Sequence, residues 1–285
     1  MRGEITMKKL LLLALLPLLS AGVARAEDTA PACAAGADAL GVSRVAEIDT
    51  TGGPLFGDQY PPSDLLQKGE VVLTFDDGPH PEYTKKILAV LAAQCTKATF
   101  FNVGEMVKQF PDVAREVQAQ GHTIGTHTWS HPNLGALSLE RTKTQIESTI
   151  SAEEKVLPNG VAPFFRFPYL SDPKRVREYL ASRNIAVFST DVDSLDYRMR
   201  SPQKVVDNVL KGLQKTGGGI ILFHDIHAVT AKALPTVLSE LKSHGFHVVH
   251  LVPKSRVDVV AVAEEPPKAA PRVRSYRHRR HAHHH

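Results

Sequence analysis

Val71-Val72-Leu73-Thr74-Phe75-Asp76-Asp77-Gly78-Pro79 is an apolar run that ends abruptly in two adjacent carboxylates and a chain-turning Gly-Pro. A short apolar run rich in β-branched and aromatic residues and closed by turn residues reads as a strand buried on both faces. Working outward from 71–74, the same signal recurs at 98–102, 122–125, 164–166, 185–189, 219–223 and 246–250. Helical stretches lie between these runs. In PEYTKKILAVLAAQ the spacing puts Ile87, Leu88, Val90 and Leu91 on one face, and SLERTKTQIESTISAEEKVL follows Ser138, an expected N-cap. Asp172-Pro173 and Ser201-Pro202 each set a capping side chain before a proline at a helix start, and Gly121 and Gly245 fall where helix C-caps belong. Alternating strands and helices predict an α/β fold with a parallel sheet. About seven strands is close to the eight of a closed barrel, so a distorted (β/α) barrel is the first expectation and a doubly wound open sheet the second.

The chain has 285 residues, 42% hydrophobic and 22% charged, enough for one globular domain with additions. Residues 1–26 read as a signal peptide: Lys8-Lys9, the apolar LLLALLPLLSAGV, then Ala24-Arg25-Ala26 as a small-residue cleavage site. That apolar run is short for a membrane span, although a retained anchor is the competing reading. An exported protein, periplasmic or secreted, is therefore expected, with no transmembrane span after cleavage near Ala26. Residues 27–68 read as an irregular N-terminal extension, 69–255 as the alternating strand-helix domain, and 256–285 as a basic, disordered low-complexity tail. The tail's terminal histidines read as a solvated segment or a purification remnant before they read as a metal site. The net charge of +4 is carried by the ends: residues 1–26 hold +3 and 264–285 hold +4, leaving 27–263 at −3. A mildly acidic body carries no nucleic-acid footprint. Cys33 and Cys95, the two cysteines, are disulfide candidates in an oxidising compartment, with two unpaired thiols as the alternative. A monomer is expected.

The polar residues that follow the strands concentrate chemistry. Asp76 and Asp77 follow the first strand, His127 and His131 the third, Arg166 closes the fourth, Asp193 and Asp196 follow the fifth, and His224 and Asp225 the sixth. In a parallel barrel these carboxyl ends share one face, where barrel enzymes hold their sites. In THTWSH the two histidines are four apart, which on a helical turn brings both imidazoles to one side. Two imidazoles and a carboxylate make an open metal site; alone, the histidine pair is a weak signal and reads equally as ordinary histidines. Two adjacent aspartates repel, and a divalent cation removes that cost: one ligates it while the other stays ionised as a proton acceptor. By itself Asp-Asp-Gly-Pro is also an ordinary turn. Arg166, between aromatics, reads either as an arginine with its head in solvent or as the partner of a catalytic aspartate. Asp193 and Asp196 read either as loop caps or as partners that set the protonation of His224; His227 reads as a rim residue.

TFDDGP, HTWSH, RFPY, DSLDY and IILFHDI, in this order over roughly residues 70–253, resemble the five motifs of the polysaccharide deacetylase family, carbohydrate esterase family four. The family includes nodulation-type chitooligosaccharide deacetylases and peptidoglycan N-acetylglucosamine deacetylases. The resemblance implies a distorted (β/α) barrel and a metal-dependent hydrolase that removes acetyl groups from N-acetylglucosamine-type residues of a glycan. It implies Asp77, His127 and His131 as metal ligands, usually of Zn²⁺, Asp76 as general base and His224 as general acid. It further implies that Arg166 positions Asp76, that Asp196 and Asp193 tune His224, and that Pro168, Tyr169, Tyr197 and Leu222 shape the acetyl pocket. The fourth motif departs from the family pattern, with Tyr197 in place of tryptophan, which bears on substrate preference more than on catalysis. The competing readings are a two-carboxylate glycosidase, a non-catalytic glycan-binding pseudoenzyme, and an esterase acting on O-acetylated xylan or exopolysaccharide.

Overall fold

The computed structural model describes residues 38–261. Its strands are β1 (Arg44–Ile48), β2 (Leu55–Phe56), β3 (Glu70–Asp76), β4 (Thr99–Asn102), β5 (Thr123–Thr126), β6 (Phe164–Phe165), β7 (Ala186–Phe188), β8 (Val192–Asp193), β9 (Gly219–His224) and β10 (His247–Pro253). The helices are α1 (Tyr83–Ala93), α2 (Gly104–Gln109), α3 (Pro111–Ala119), α4 (Leu139–Val156), α5 (Lys174–Ser182), α6 (Pro202–Thr216) and α7 (Ala228–Ser243). Every strand pairing is parallel. The sheet runs β1-β10-β3-β4-β5-β6-β7-β2, with β9 also on β3 and β8 on β9. Among the described residues no pairing joins β7 to β8, so the barrel is open there.

The continuous apolar reading of 71–74 has a direct cause. Successive side chains point to opposite faces, and both faces are cores. Val71, Leu73 and Phe75 join the outer core under the helices. Val72 joins the inner core with Phe101, Phe164, Phe188, Ile220 and Leu251. The same period carries Thr74 and Asp76 inward, toward the lumen. β9 spans β3 from Val71 to Asp76, which occupies one edge of that strand. On the other edge β10 takes only Glu70 and Val71, and β4 takes Thr74 to Asp76. β10 therefore wedges between β3 and β4 at their amino ends, and with β1 it fills the lower lumen through Ala46, Ile48, Val249 and Leu251. This wedge is what distorts the barrel.

Among the described residues the sheet holds ten strands, where the sequence indicates about seven. β1 and β2 lie in the segment expected to be irregular, and β8 is two residues long. β2 and β8 are too short for a periodicity to register, β1 turns only Ala46 and Ile48 inward, and pairing with β10, β7 and β9 makes all three strands. Ser138 caps α4 by accepting the Arg141 N–H, and Gly121 and Gly245 take φ of 78° and 73° after α3 and α7. Asp172 departs from expectation: Pro173 stands at the start of α5, and the carboxylate instead accepts from Arg177 Nη1 at 2.6 Å. A charge-assisted bond one turn inside the helix outcompetes a backbone cap. Ser201 precedes Pro202 as expected but its side chain makes no cap bond. Cys33, the signal segment and residues 262–285 of the tail lie outside the described residues. Within them, no helix is long and apolar enough to cross a membrane.

Beside the wedge sit two buried histidines. His122 Nδ1 accepts the Ala98 N–H at 3.1 Å, and His250 Nε2 meets Thr123 Oγ1 at 3.0 Å. Burial, then the nearby Lys97 charge, lowers them to about 3 and about 4. An imidazole depressed on folding contributes stability that is present above about 6.5 and is lost as pH falls through the folded value. Denaturant unfolding of His122→Gln should therefore fall off less steeply than the parent between pH 7 and pH 4, by about 3 kcal/mol at the acid end. Parallel curves for the two proteins would contradict a neutral, buried His122.

Candidate active site

The carboxyl ends of β3, β5, β6, β8 and β9 deliver the polar groups. Strand register sets the first pair: Asp76 stands opposite His224 across β3 and β9. Thr74 stands opposite Leu222, and Leu222 opposite Asp193. Among the described residues, six of the eight non-glycine residues with positive φ (Asp77, Thr128, His131, Tyr169, Leu170 and Leu195) lie on the loops that leave these strands. Such conformations cost free energy and persist where surrounding structure imposes them, as at functional sites.

Arg166 is fully buried, with its head in the lumen and away from solvent. Its Nη1 donates to Asp76 Oδ1 at 2.8 Å and to Thr74 Oγ1 at 2.7 Å. Its Nε and Nη2 donate to the carbonyls of Phe188 and Ser189, each at 3.0 Å, and its Cζ lies 4.4 Å from the Phe101 ring centre. A buried charge needs this many partners, and they lock one Asp76 oxygen. The other, Oδ2, lies 3.7 Å from His127 Nε2. Burial pushes the Asp76 carboxyl up to about 6, against the pull of Arg166 and His224 and with a further push from Asp77.

Asp77, His127 and His131 converge, each offering one ligand atom, and these atoms all lie within 4.8 Å of one another. The histidines do not share a helical turn: 127–131 is a loop after β5, with Thr128 at φ 68° and His131 at φ 56°. The Thr128 hydroxyl accepts the His131 N–H at 3.1 Å and folds the loop back, which brings the two rings to 4.8 Å. His127 Nδ1 faces the Arg166 carbonyl at 2.7 Å, and a carbonyl only accepts, so that nitrogen carries the proton. Nε2 then keeps its lone pair toward Asp77 Oδ1 at 3.6 Å, and His131 Nε2 stands 3.3 Å from the same oxygen. Burial, then neighbouring His131, holds His127 well below the usual imidazole range, in the neutral form a ligand requires. Asp77 Oδ1 is buried without a hydrogen-bond partner. An orphaned carboxylate oxygen facing two imidazole nitrogens, one of them oriented by a carbonyl, fits a divalent cation of the Zn²⁺ type.

Across the mouth, His224 Nδ1 donates to Asp196 Oδ1 at 2.7 Å, which leaves Nε2 for the site. Asp196 Oδ2 also accepts the His224 N–H at 2.7 Å and the Thr230 hydroxyl at 2.6 Å. Burial by itself would lower His224; the bond and charge of Asp196 outweigh it, and with Asp77 and Asp76 they raise it to about 9. Asp193 takes no part in this contact. It begins the DSLDY turn on β8, not at the end of the preceding strand, and its carboxylate accepts the Leu195 N–H at 2.8 Å and the Tyr197 hydroxyl at 3.3 Å. The rim is aromatic: Tyr169 stands edge-on to His131 at 4.6 Å, and Tyr197 edge-on to His224 at 5.4 Å. Pro168 and Leu222 are buried beneath them. His227 lies 5.8 Å from His224, ring to ring, and burial lowers it. A separate cavity of about 410 Å³, lined by Tyr60, Asp58, Asp191 and Gly217–Gly219, opens at the amino ends of β3 and β9, away from all these groups.

A family profile for polysaccharide deacetylase matches residues 65–188. A peptidoglycan-N-acetylglucosamine deacetylase of Bacillus cereus is 35% identical over 199 residues, covering 67% of this chain and 70% of that protein. A chitooligosaccharide deacetylase of Azorhizobium caulinodans is 30% identical over 193 residues, 63% of this chain and 91% of its own length. Among solved structures, a Bdellovibrio bacteriovorus peptidoglycan deacetylase superposes with a TM-score of 0.68 at 32% identity, over 74% of this chain and 59% of that one. A Bacillus anthracis pseudoenzyme of carbohydrate esterase family four superposes with a TM-score of 0.60 at 27% identity, over 64% of this chain and 65% of that one.

Proposed function

Since this chain belongs to the polysaccharide deacetylase family, we propose that it is a metal-dependent hydrolase that removes acetyl groups from N-acetylglucosamine-type residues of chitooligosaccharide or peptidoglycan. The observation that carries the reading is the position of Asp76. One of its oxygens is locked by Arg166, the other turns toward the Asp77, His127 and His131 cluster, and its register partner is His224.

Asp77, His127 and His131 would hold the cation, and Zn²⁺ suits one carboxylate and two imidazoles. When bound, it would polarise the acyl oxygen and acidify water. Asp76 Oδ2 takes the proton from the attacking water, while Arg166 keeps the carboxylate in place. The oxyanion is met by the Tyr169 N–H, in a turn held at φ 58°. Pro168, Leu222, Tyr169 and Tyr197 enclose the acetyl methyl. The C–N bond breaks as His224 Nε2 gives its proton to the leaving nitrogen, and acetate and a free amine depart. Asp193 acts on the rim by fixing Tyr197. The catalytic unit is 69–255, exported by residues 1–26, which fits relatives that act on peptidoglycan.

The test is acetate release from chitooligosaccharides and from peptidoglycan fragments, with chelator and with Zn²⁺ restored. Release that chelator abolishes and Zn²⁺ restores is expected. The Bacillus anthracis neighbour supports a second reading, glycan binding without turnover. Calorimetric glycan binding with no acetate from any substrate would select that one.

The Asp196–His224 pair sets a pH dependence. A general acid works protonated, so kcat/KM falls as pH rises through the folded value of about 9. Asp196→Asn removes the charge that raises it, and the alkaline limb should move down by about 1–2 pH units. An unmoved limb would reassign the acid. By linkage the raised imidazole also contributes stability that is fully present below about 6.5 and is lost as pH rises through about 9.

A further inference from the structure

Asp225 is a fully buried carboxylate that no step above uses. It follows His224 at the end of β9, and its N–H donates to the Asp76 carbonyl at 3.2 Å. Its Oδ2 accepts the Thr84 hydroxyl at 2.5 Å, and Thr84 Oγ1 accepts the His80 N–H at 2.7 Å. One side chain thus ties together the end of β9, the first turn of α1 and the loop that leaves Asp77.

The contact with that loop is close. A Cβ at position 78 would stand 2.1 Å from Asp225 Oδ2 and 2.3 Å from Oδ1, so the carboxylate lies against the Gly78 backbone and only glycine fits. From the other side the Gly78 carbonyl accepts the Val103 N–H at 2.9 Å, and the Asp77 N–H donates to the Phe101 carbonyl at 3.2 Å. The Asp77-Gly78 backbone is therefore clamped between the β4 end and Asp225. Asp77 itself is at φ 77°, an uncommon conformation for a residue with a side chain, although aspartate adopts it more readily than most. Asp225 Oδ1 is buried and has no hydrogen-bond partner, so burial of this carboxylate is not explained by its own bonds.

We propose that Asp225 is a positioning residue for the cation site: acting through Gly78 and Thr84, it fixes the turn so that Asp77 Oδ1 faces His127 and His131. This rests on reading those three residues as ligands. Outer partners of metal ligands commonly govern affinity by about 10–100-fold when removed.

The experiment is Zn²⁺ titration of the chelator-stripped full chain by calorimetry, comparing the parent with Asp225→Ala, Thr84→Val and Thr84→Ser. The His127→Ala protein carries the same terminal histidines and gives their background. Asp225→Ala and Thr84→Val should each raise the Zn²⁺ Kd about 10–100-fold. Thr84→Ser keeps the hydroxyl and should stay within about 3-fold of the parent, and a protein carrying both Asp225→Ala and Thr84→Val should bind no more weakly than Asp225→Ala alone. A brace that serves only folding would lower Tm in the variants and leave their Kd unchanged, and that result overturns the proposal. If Asp225→Ala does not fold, the Thr84→Val and Thr84→Ser pair decides it by the same criterion. A parent that binds no Zn²⁺ above the background overturns both this proposal and the ligand reading; a parent that binds, with variants that match it, overturns this one alone.

Discussion

Asp76→Asn should lower kcat for acetate release by about 10²–10⁴-fold while Zn²⁺ binding is kept. Asparagine preserves the shape of the carboxylate and an oxygen for Arg166 Nη1, which also bonds Thr74 beside the Phe101 ring. What it loses is the proton acceptor at Oδ2, the oxygen that faces the cluster. The substitution also removes the carboxylate paired with the fully buried Arg166 guanidinium, so a loss of stability accompanies the loss of turnover. Circular dichroism and the Zn²⁺ isotherm separate the two effects. A folded, Zn²⁺-binding Asp76→Asn protein that releases acetate at nearly the parent rate would remove Asp76 as the base. The larger alanine change is the poorer test, because it leaves Arg166 without that partner altogether.

His127→Ala should abolish both metal binding and turnover. The imidazole is held by the Arg166 carbonyl on one side and presents Nε2 to Asp77 on the other, so its removal takes away a ligand and opens the site. The expected loss in rate exceeds the roughly 10²–10³-fold that follows deletion of a single oxyanion donor. Excess Zn²⁺ should recover little of it. Elemental analysis after dialysis measures the first effect and acetate release the second. To exclude any contribution from the terminal histidines, stoichiometry is compared on proteins ending after residue 261, which keeps the buried Val257. One equivalent of Zn²⁺ retained by His127→Ala in that form would displace His127 from the ligand set.

The two substitutions separate functions that lie side by side in the chain. Asp76 points inward with Thr74 by strand period, and Asp77 already belongs to the turn, at φ 77°. Adjacent carboxylates therefore meet different partners: Arg166 for the first, the two imidazoles for the second. Two like charges at the end of a core strand are tolerable because each faces its own positive or cation-binding group.

Much of this was legible along the chain. The runs at 71–74, 98–102 and 219–223 announce buried parallel strands, since residues apolar on both faces suit a sheet covered twice. The polar residues after each run mark the carboxyl end where a site forms, and Ser138, Gly121 and Gly245 mark helix ends by local bonding that needs no distant partner. Other features depend on groups far apart in sequence. β1, β2 and β8 are strands because β10, β7 and β9 lie beside them. The histidine pair meets through a Thr128 turn, where the four-residue spacing alone indicated a helix. Asp193 and Asp196, three apart and chemically alike, part company because only Asp196 is carried under His224. Local pattern determined which segments form the buried strands and the helices and which residues bring chemistry, because burial period and turn chemistry act over a few bonds. Tertiary structure alone decided which carboxylate meets which cation, because hydrogen bonds form only within about 3 Å and the partners are tens to more than a hundred residues apart.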